Sequence, residues 1–215
     1  MEKIYVKNER LFKNKLQLAI YLIIFILLIG AFIYLGTLDY DETLPDNELF
    51  AQEFSLVSED NVFKYANATD ALMVANGAKG IVLFGTKNEW VNYYANIVNK
   101  VAKQVGIDNI YYYDFVSNRQ DNNGTYEKIV EVLGDYVIYD DYNKAEIYAP
   151  SLLVVSKDEV LLFDTETSFR ISNIEPSEYW NSYNEEQKIK ELSKVFQEYL
   201  ESWGNLWIIR KMFLD

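Results

Sequence analysis

The side chains that most enzymes use for nucleophilic or acid-base chemistry are missing from this chain. Its 215 residues include neither cysteine nor histidine. A cysteine would supply a thiolate, a disulfide or a soft metal ligand, and a histidine would supply the commonest general base at neutral pH. The sequence therefore excludes thiol chemistry and disulfides, and we expect neither a metal site nor a cofactor.

Carboxylates are the remaining candidates for catalysis. Asp140 and Asp141, with Asp114 and Glu146, are the acids that could form a hydrolytic pair. Such a pair needs two carboxyl groups held about 5 to 9 Å apart in a cleft, with one pKa raised. Nothing in the spacing of these residues predicts that arrangement, so we interpret them as solvated surface acids.

The most distinctive segment of the chain is residues 16–38, which carry no charge. A helix of this length would span about 34 Å at about 1.5 Å per residue, which is enough to cross the hydrocarbon core of a bilayer. Tyr21 and Tyr34 stand near its two ends, where aromatic side chains favour the lipid headgroup layer. We predict a transmembrane helix that contacts membrane lipid.

Two other interpretations of residues 16–38 are less favoured. A cleaved signal peptide would have a shorter apolar run and a clear small-residue cleavage site, and the sequence around Gly36 offers only weak candidates. A buried core helix rarely stays free of charge for so long, because one of its sides normally faces water.

The charges on either side of this segment predict its orientation. Residues 1–15 contain five basic and two acidic side chains, a net charge of +3, and the rest of the chain carries −16. Basic flanks remain on the cytoplasmic side, so residues 1–15 should be cytoplasmic and the folded part should lie outside the cell membrane. A strongly acidic domain is a poor match for nucleic acid, which needs a positively charged surface.

Residues 39–60 are acidic, and we interpret them as a juxtamembrane stalk that precedes a domain of residues 61–203. In the first half of that domain, "VFKYAN" predicts a short strand and "TDALMVANG" predicts a helix capped by Asn67 or Thr69. The apolar run "GIVLFG" predicts a strand covered on both faces. An amphipathic helix from Trp90 to Val105 and the strand "NIYYYDF" follow, which together predict a parallel βαβ unit.

The second half of the domain begins with a helix predicted at residues 125–133 and ended by Gly134. The pattern of residues 136–150 predicts either a short strand or only a surface connection. The segments "SLLVV" and "EVLLF", separated by "SKD", predict a β-hairpin. The apolar residues of the last helix recur on one side from 184 to 203, and we assign residues 204–215 to a C-terminal tail.

The order strand, helix, strand, helix, hairpin, helix, with a lone proline just before the hairpin, resembles the thioredoxin-like fold. Two motifs carry the resemblance, "IVLFGTKNEWVN" and "YAPSLLVVSKDEVLLF". They are similar to the family's strand followed by Cys-x-x-Cys at the head of a helix, and to its cis-proline followed by two strands. The resemblance covers residues 61–203 and implies a three-layer α/β/α domain with a central mixed sheet.

The resemblance also implies a binding surface. Counted from Phe84, the family's two cysteines fall on Glu89 and Asn92, so "EWVN" keeps the frame and loses the thiols. Family members hold extended peptides against the cis-proline loop. The resemblance thus implies a cis Ala149–Pro150 bond and a candidate groove formed by Glu89, Trp90, Asn92, Ala149 and Pro150.

Three functional hypotheses follow for this membrane-anchored domain. The preferred one is a non-catalytic module, without redox activity, that binds a peptide or protein partner in the groove or assists assembly. The alternative is a residual enzymatic or chaperone-like activity that uses Glu89 in place of the thiol. A third possibility is a purely structural spacer, which would have no specific partner.

Overall fold

The computed structural model describes residues 20, 23–27, 44–116, 124–140, 142–165 and 174–212, and the side chains of this last range as far as Ser202. The chain divides into two units, residues 1–44 and 45–215. Residues 20 and 23–27 are helical, and the rest of the predicted transmembrane segment 16–38 lies outside the described residues. Within the described ranges, no helix is both long enough and apolar enough to cross a membrane.

The second unit is built around a five-stranded mixed sheet, with strand order β1–β3–β2–β6–β7. The two pairings on one side of the sheet, β1 with β3 and β3 with β2, are parallel, and the other two are antiparallel. A separate short hairpin is formed by β4 and β5. The strands are β1 Phe63–Tyr65, β2 Gly80–Gly85, β3 Ile110–Asp114, β4 Ile138–Tyr139, β5 Ala145–Glu146, β6 Ser151–Ser156 and β7 Glu159–Asp164.

Helices cover both faces of the sheet, which confirms the predicted mixed α/β class with a central mixed sheet. The described helices of this unit are α1 Asp46–Glu53, α2 Ala68–Ala75, α3 Glu89–Val105, α4 Thr125–Leu133, α5 Pro176–Tyr179 and α6 Ser182–Met212, with a 3₁₀ turn at Gly134–Tyr136. Helices α1, α3 and α6 contribute to the core on one face, and α2 and α4 to the core on the other.

Local signals in the sequence account for several of these helix ends. Asn67 caps α2, and its side chain accepts hydrogen bonds from the backbone N–H groups of Thr69 and Asp70 while Asp70 accepts one in return, a reciprocal capping box. Gly106 follows α3 with φ of 86°, a left-handed conformation that glycine adopts without steric cost. The predicted βαβ unit is confirmed by the parallel β2–β3 pairing.

The first helix lies inside the segment predicted to be a stalk. Phe50 and Phe54 are buried at 0 % and 1 % exposure and belong to the same core as the sheet. The Phe50 ring stacks on Phe63 of β1 and meets Tyr112 of β3 edge-on. In its described part, 44–60, this segment therefore belongs to the folded unit, which begins near Pro45 and not at residue 61.

The last helix also differs from the prediction. α6 runs from Ser182 to Met212, so it continues past residue 203 into the segment assigned to a tail, 204–215. The glycine within that segment, Gly204, costs about 1 kcal/mol relative to alanine in a helix interior, and this is not enough by itself to end a long helix. The structure does not describe residues 213–215.

Candidate functional site

The start of α3 is set by the turn that follows β2. The Asn88 side chain accepts a hydrogen bond of 2.9 Å from the backbone N–H of Val91, which makes Asn88 the N-cap. Glu89 is then the first helical residue, and its side chain is exposed. A carboxylate at this position is stabilised by the positive end of the helix dipole, so Glu89 has a structural role that needs no ligand.

The Ala149–Pro150 peptide bond is cis, as predicted. Pro150 is buried, and the next residue, Ser151, pairs with Phe84 across the antiparallel β2–β6 ladder. This register places the cis bond one residue beyond Phe84, beside Gly85 and the turn that starts α3. The predicted neighbourhood of the proline loop and the head of the long helix is therefore present.

The backbone of Ala149 is open to an additional partner. Ala149 is half-buried and precedes β6, so its N–H and C=O are not used in the ladder between β2 and β6. Within the ranges that the structure describes, neither group makes a hydrogen bond. A buried or half-buried backbone amide normally has a partner, which makes this position suited to a chain that approaches in extended conformation.

Trp90 and Asn92 do not lie open beside the proline loop. The Trp90 ring is half-buried, with its centroid 5.6 Å from the ring of Tyr179 in α5. Asn92 is engaged by the segment after α1, since its Oδ1 accepts a 3.0 Å hydrogen bond from the backbone N–H of Leu56 and its Nδ2 donates to Ser55 Oγ. Asn92 therefore tethers an internal loop, and the accessible residues that remain of the predicted groove are exposed Glu89 and half-buried Trp90 and Ala149, with Pro150 buried behind them.

Gly85 shapes the floor of this surface. A Cβ atom at position 85 would lie 2.7 Å from Tyr112 Cε2 and 3.1 Å from Val91 Cγ1, so glycine allows β3 and α3 to approach closely. We expect Gly85→Ala to lower the free energy of unfolding by about 1 to 3 kcal/mol through overpacking, measured by urea unfolding. A loss below about 0.5 kcal/mol would contradict this tight packing.

The acids considered for catalysis that the structure describes engage groups close to them in sequence, and Glu146 pairs with Lys144 at 3.2 Å. Asp140 Oδ1 accepts hydrogen bonds from the backbone N–H groups of Tyr142 and Lys144, which makes it the organiser of the β4–β5 turn. Asp114 Oδ1 accepts one from Val116 N–H. Asp141 lies outside the described residues. Among the described residues, no group of three or more acidic side chains is arranged to hold a metal ion.

Sequence reasoning missed a buried polar cluster formed by Tyr94, Asp164 and Lys188. Tyr94 Oη donates a 2.5 Å hydrogen bond to Asp164 Oδ2, and Lys188 Nζ lies 2.8 Å from the same oxygen. The Lys188 and Asp164 side chains are only 6 % and 4 % exposed. The cluster ties β7, α3 and α6 together across one face of the sheet.

The protonation of Lys188 depends on its neighbours. Burial by itself lowers its pKa, but the charge and hydrogen bond of Asp164, with a 2.6 Å contact to Glu191, outweigh burial and raise the pKa above the ordinary value. Lys188 therefore remains charged at neutral pH. One signal could have identified it, because Lys188 stands four residues before Leu192 on the apolar side of α6, where a lysine is out of place.

Comparison with known proteins gives no match for this chain. No protein-family model, no curated protein sequence and no solved structure is significantly similar to it.

Proposed function

We propose that residues 45–212 form a thioredoxin-like domain that has lost its thiols and binds an extended peptide or a segment of a membrane-protein partner without catalysis. The observation that carries this proposal is the strand order β1–β3–β2–β6–β7, with a cis proline immediately before β6 and beside the turn that leads into α3. A central mixed sheet with helices on both faces is compatible with the thioredoxin-like fold that the two sequence motifs resemble.

Recognition would depend mainly on the backbone. An extended segment can add to the free N–H and C=O of Ala149 as a further strand, and such main-chain hydrogen bonds give affinity with little dependence on sequence. The exposed edge of Trp90 would contribute apolar area, and Glu89 at the helix terminus would favour a neighbouring cationic side chain of the partner. In this proposal Asn92 acts indirectly, because it fixes the loop that flanks the surface.

We also propose that residues 16–38 anchor this domain to a cell membrane, with residues 1–15 on the cytoplasmic side and the domain on the outer face of a bacterial cell. The support is the charge-free segment and the difference in charge between its two flanks. An anchored binding module meets partners in the same membrane at a high effective concentration, so a modest intrinsic affinity is sufficient.

Site-specific photocrosslinking in native membranes tests the proposed surface. Benzoylphenylalanine would replace Glu89 in the full-length protein, and the matched control would carry it at Glu131, an exposed acid on α4 at the opposite face of the sheet. We expect a discrete adduct from position 89 and none from position 131. A synthetic peptide that matches the crosslinked segment should bind wild type about tenfold more tightly than Trp90→Ala.

Two outcomes would count against the surface. The first is the same set of adducts from both positions, which would indicate random collision in the membrane. The second is the absence of any adduct from position 89, which favours a spacer without a partner. Glu89→Gln tests the alternative hypothesis of an enzymatic activity that uses Glu89. If the wild-type protein turns over a substrate and Glu89→Gln does not, that hypothesis is favoured over binding without catalysis.

A further inference from the structure

A cavity of about 470 Å³ opens between α1 and the ends of two parallel strands. This volume lies within the range of about 300 to 1,000 Å³ that small-molecule sites occupy. Its lining consists of Asp46, Leu49, Gln52, Glu53, Tyr65 and Lys87. All of these residues except Lys87 lie on α1 or at the end of β1, an edge strand that β3 and β2 separate from β6, and Lys87 lies in the turn between β2 and α3.

The position of the cavity in the fold is one where ligands commonly bind. Tyr65 is the last residue of β1, and Lys87 follows the end of β2 by two residues. Because β1 and β2 both run parallel to β3, their carboxyl ends meet at the same edge of the sheet. Crevices outside the carboxyl ends of parallel strands are the usual binding positions in α/β proteins.

Tyr65 orients both carboxylates of the cavity. Its backbone N–H donates a 3.2 Å hydrogen bond to Asp46 Oδ2, and its hydroxyl donates a 2.5 Å bond to Glu53 Oε2. Burial, followed by the hydrogen bond to Glu53, raises the pKa of Tyr65 above its ordinary value, so the hydroxyl stays a donor. Each carboxylate is thus held by one oxygen and presents the other, which can still accept hydrogen bonds.

The three charged groups of the cavity do not neutralise one another. In the described part of the chain, neither Asp46 nor Glu53 forms an ion pair, and Lys87 has neither an ion pair nor a hydrogen bond. Most surface charges of opposite sign that lie around one crevice could pair at little cost. The lining of the cavity therefore offers two unpaired carboxylates and one unpaired ammonium group to a ligand. Leu49 and the Tyr65 ring supply its apolar part.

We propose that this cavity binds a free α-amino acid, with Lys87 on the ligand carboxylate, Asp46 and Glu53 on its cationic groups, and Leu49 with Tyr65 along its aliphatic stem. A zwitterion supplies both signs of charge in one small molecule. The two carboxylates exceed the single lysine by one negative charge, so an amino acid with a basic side chain and a net charge of +1 is the best complement. L-Lysine and L-arginine belong to this class.

Calorimetric titration of the full-length protein in a non-ionic detergent tests the site. The probes are L-lysine, cadaverine, which lacks the carboxylate, and L-norleucine, which lacks the side-chain charge. We expect saturable binding of lysine and about tenfold weaker binding of each analogue, because each loses one charge-assisted contact. Lys87→Gln should weaken lysine by about tenfold and leave cadaverine unchanged.

Lys64→Gln is the matched control. Lys64 is an exposed lysine that precedes Tyr65 on β1, so its side chain points to the opposite face of the strand. Because Lys64 and Lys87 are both exposed, neither change should affect folding. The proposal is overturned if lysine shows no saturation up to about 10 mM, if lysine and cadaverine bind equally, or if Lys64→Gln weakens lysine as much as Lys87→Gln does.

This site does not depend on peptide binding at the proline loop. Substitution of Trp90 should leave lysine affinity unchanged, and substitution of Asp46, which lies on α1, should leave the photocrosslink from position 89 unchanged. The two proposals can therefore fail separately.

Discussion

Replacing Phe50 with alanine is expected to lower the free energy of unfolding by about 3 to 5 kcal/mol, because a fully buried aromatic side chain would leave a cavity. Phe50 is 0 % exposed and contacts the rings of Phe54, Phe63 and Tyr112, so α1 is held by the same core that covers the sheet. Urea unfolding followed by tryptophan fluorescence measures the change.

Leu49→Ala is the matched control for this effect. Leu49 is the preceding residue of α1 and is 36 % exposed, so its truncation should cost less than about 1 kcal/mol. Losses below about 1 kcal/mol for both variants would indicate that α1 is not packed on the sheet, which would favour the predicted stalk of residues 39–60.

Lys188→Met should have an effect of similar size. It keeps the length of the side chain but leaves the buried Asp164 carboxylate without that cation, and breaking a buried ion pair in this way costs about 3 to 5 kcal/mol. The double variant Asp164→Asn/Lys188→Met should recover most of the loss, because asparagine still accepts the hydrogen bond from Tyr94 and carries no charge. A single-variant loss below about 1 kcal/mol would place the pair in solvent.

The same pair predicts a dependence on alkaline pH. The pKa of Lys188 is higher in the folded state than its ordinary value of 10.5, so folding favours the protonated form. Its contribution to stability is therefore complete below pH 10.5 and is lost as the pH rises through the folded pKa. The difference in stability between wild type and Lys188→Met should shrink over that alkaline range.

Much of the fold could be predicted because the local signals agree with one another. Three kinds of signal each indicate the element that forms at their position. They are the glycines at the ends of β2, the caps at Asn67 and Gly106, and the apolar periodicity of α3. The cis proline was predicted through a family resemblance, and its position beside the head of α3 follows from the β2–β6 register.

Two predictions differ from the structure for separate physical reasons. In residues 39–60 the many acids predict a solvated segment, but Phe50 in α1 and Phe54 and Val57 just after it are buried in the core and hold this segment on the sheet. Charge composition dominated that prediction, whereas the apolar side chains among the acids decide where the segment lies. For Asn92, position relative to Phe84 predicted an open groove, and only tertiary contacts reveal that the side chain is already engaged.

The cavity and the buried cluster that sequence reasoning missed both depend on contacts between distant segments. Asp164 and Lys188 are 24 residues apart, and Tyr94 is 70 residues from Asp164. Asp46 lies on α1 and Lys87 lies in the turn between β2 and α3, and both line the same cavity. Neither set has a local spacing, so only a three-dimensional structure brings its members together.

Strands β2 and β6 are buried at every residue, with Ile81 and Leu83 in one core and Val82 and Phe84 in the other. In a sheet with one solvent-exposed face, a register shift of one residue is unfavourable because it moves apolar side chains into water. Here a register shift would replace one apolar side chain by another in each core. The correct register therefore has to be selected by side-chain volume and by the polar groups at the strand ends. Substitutions between apolar residues of equal volume should thus be tolerated at these positions, whereas substitutions that change side-chain volume would favour incorrect strand register.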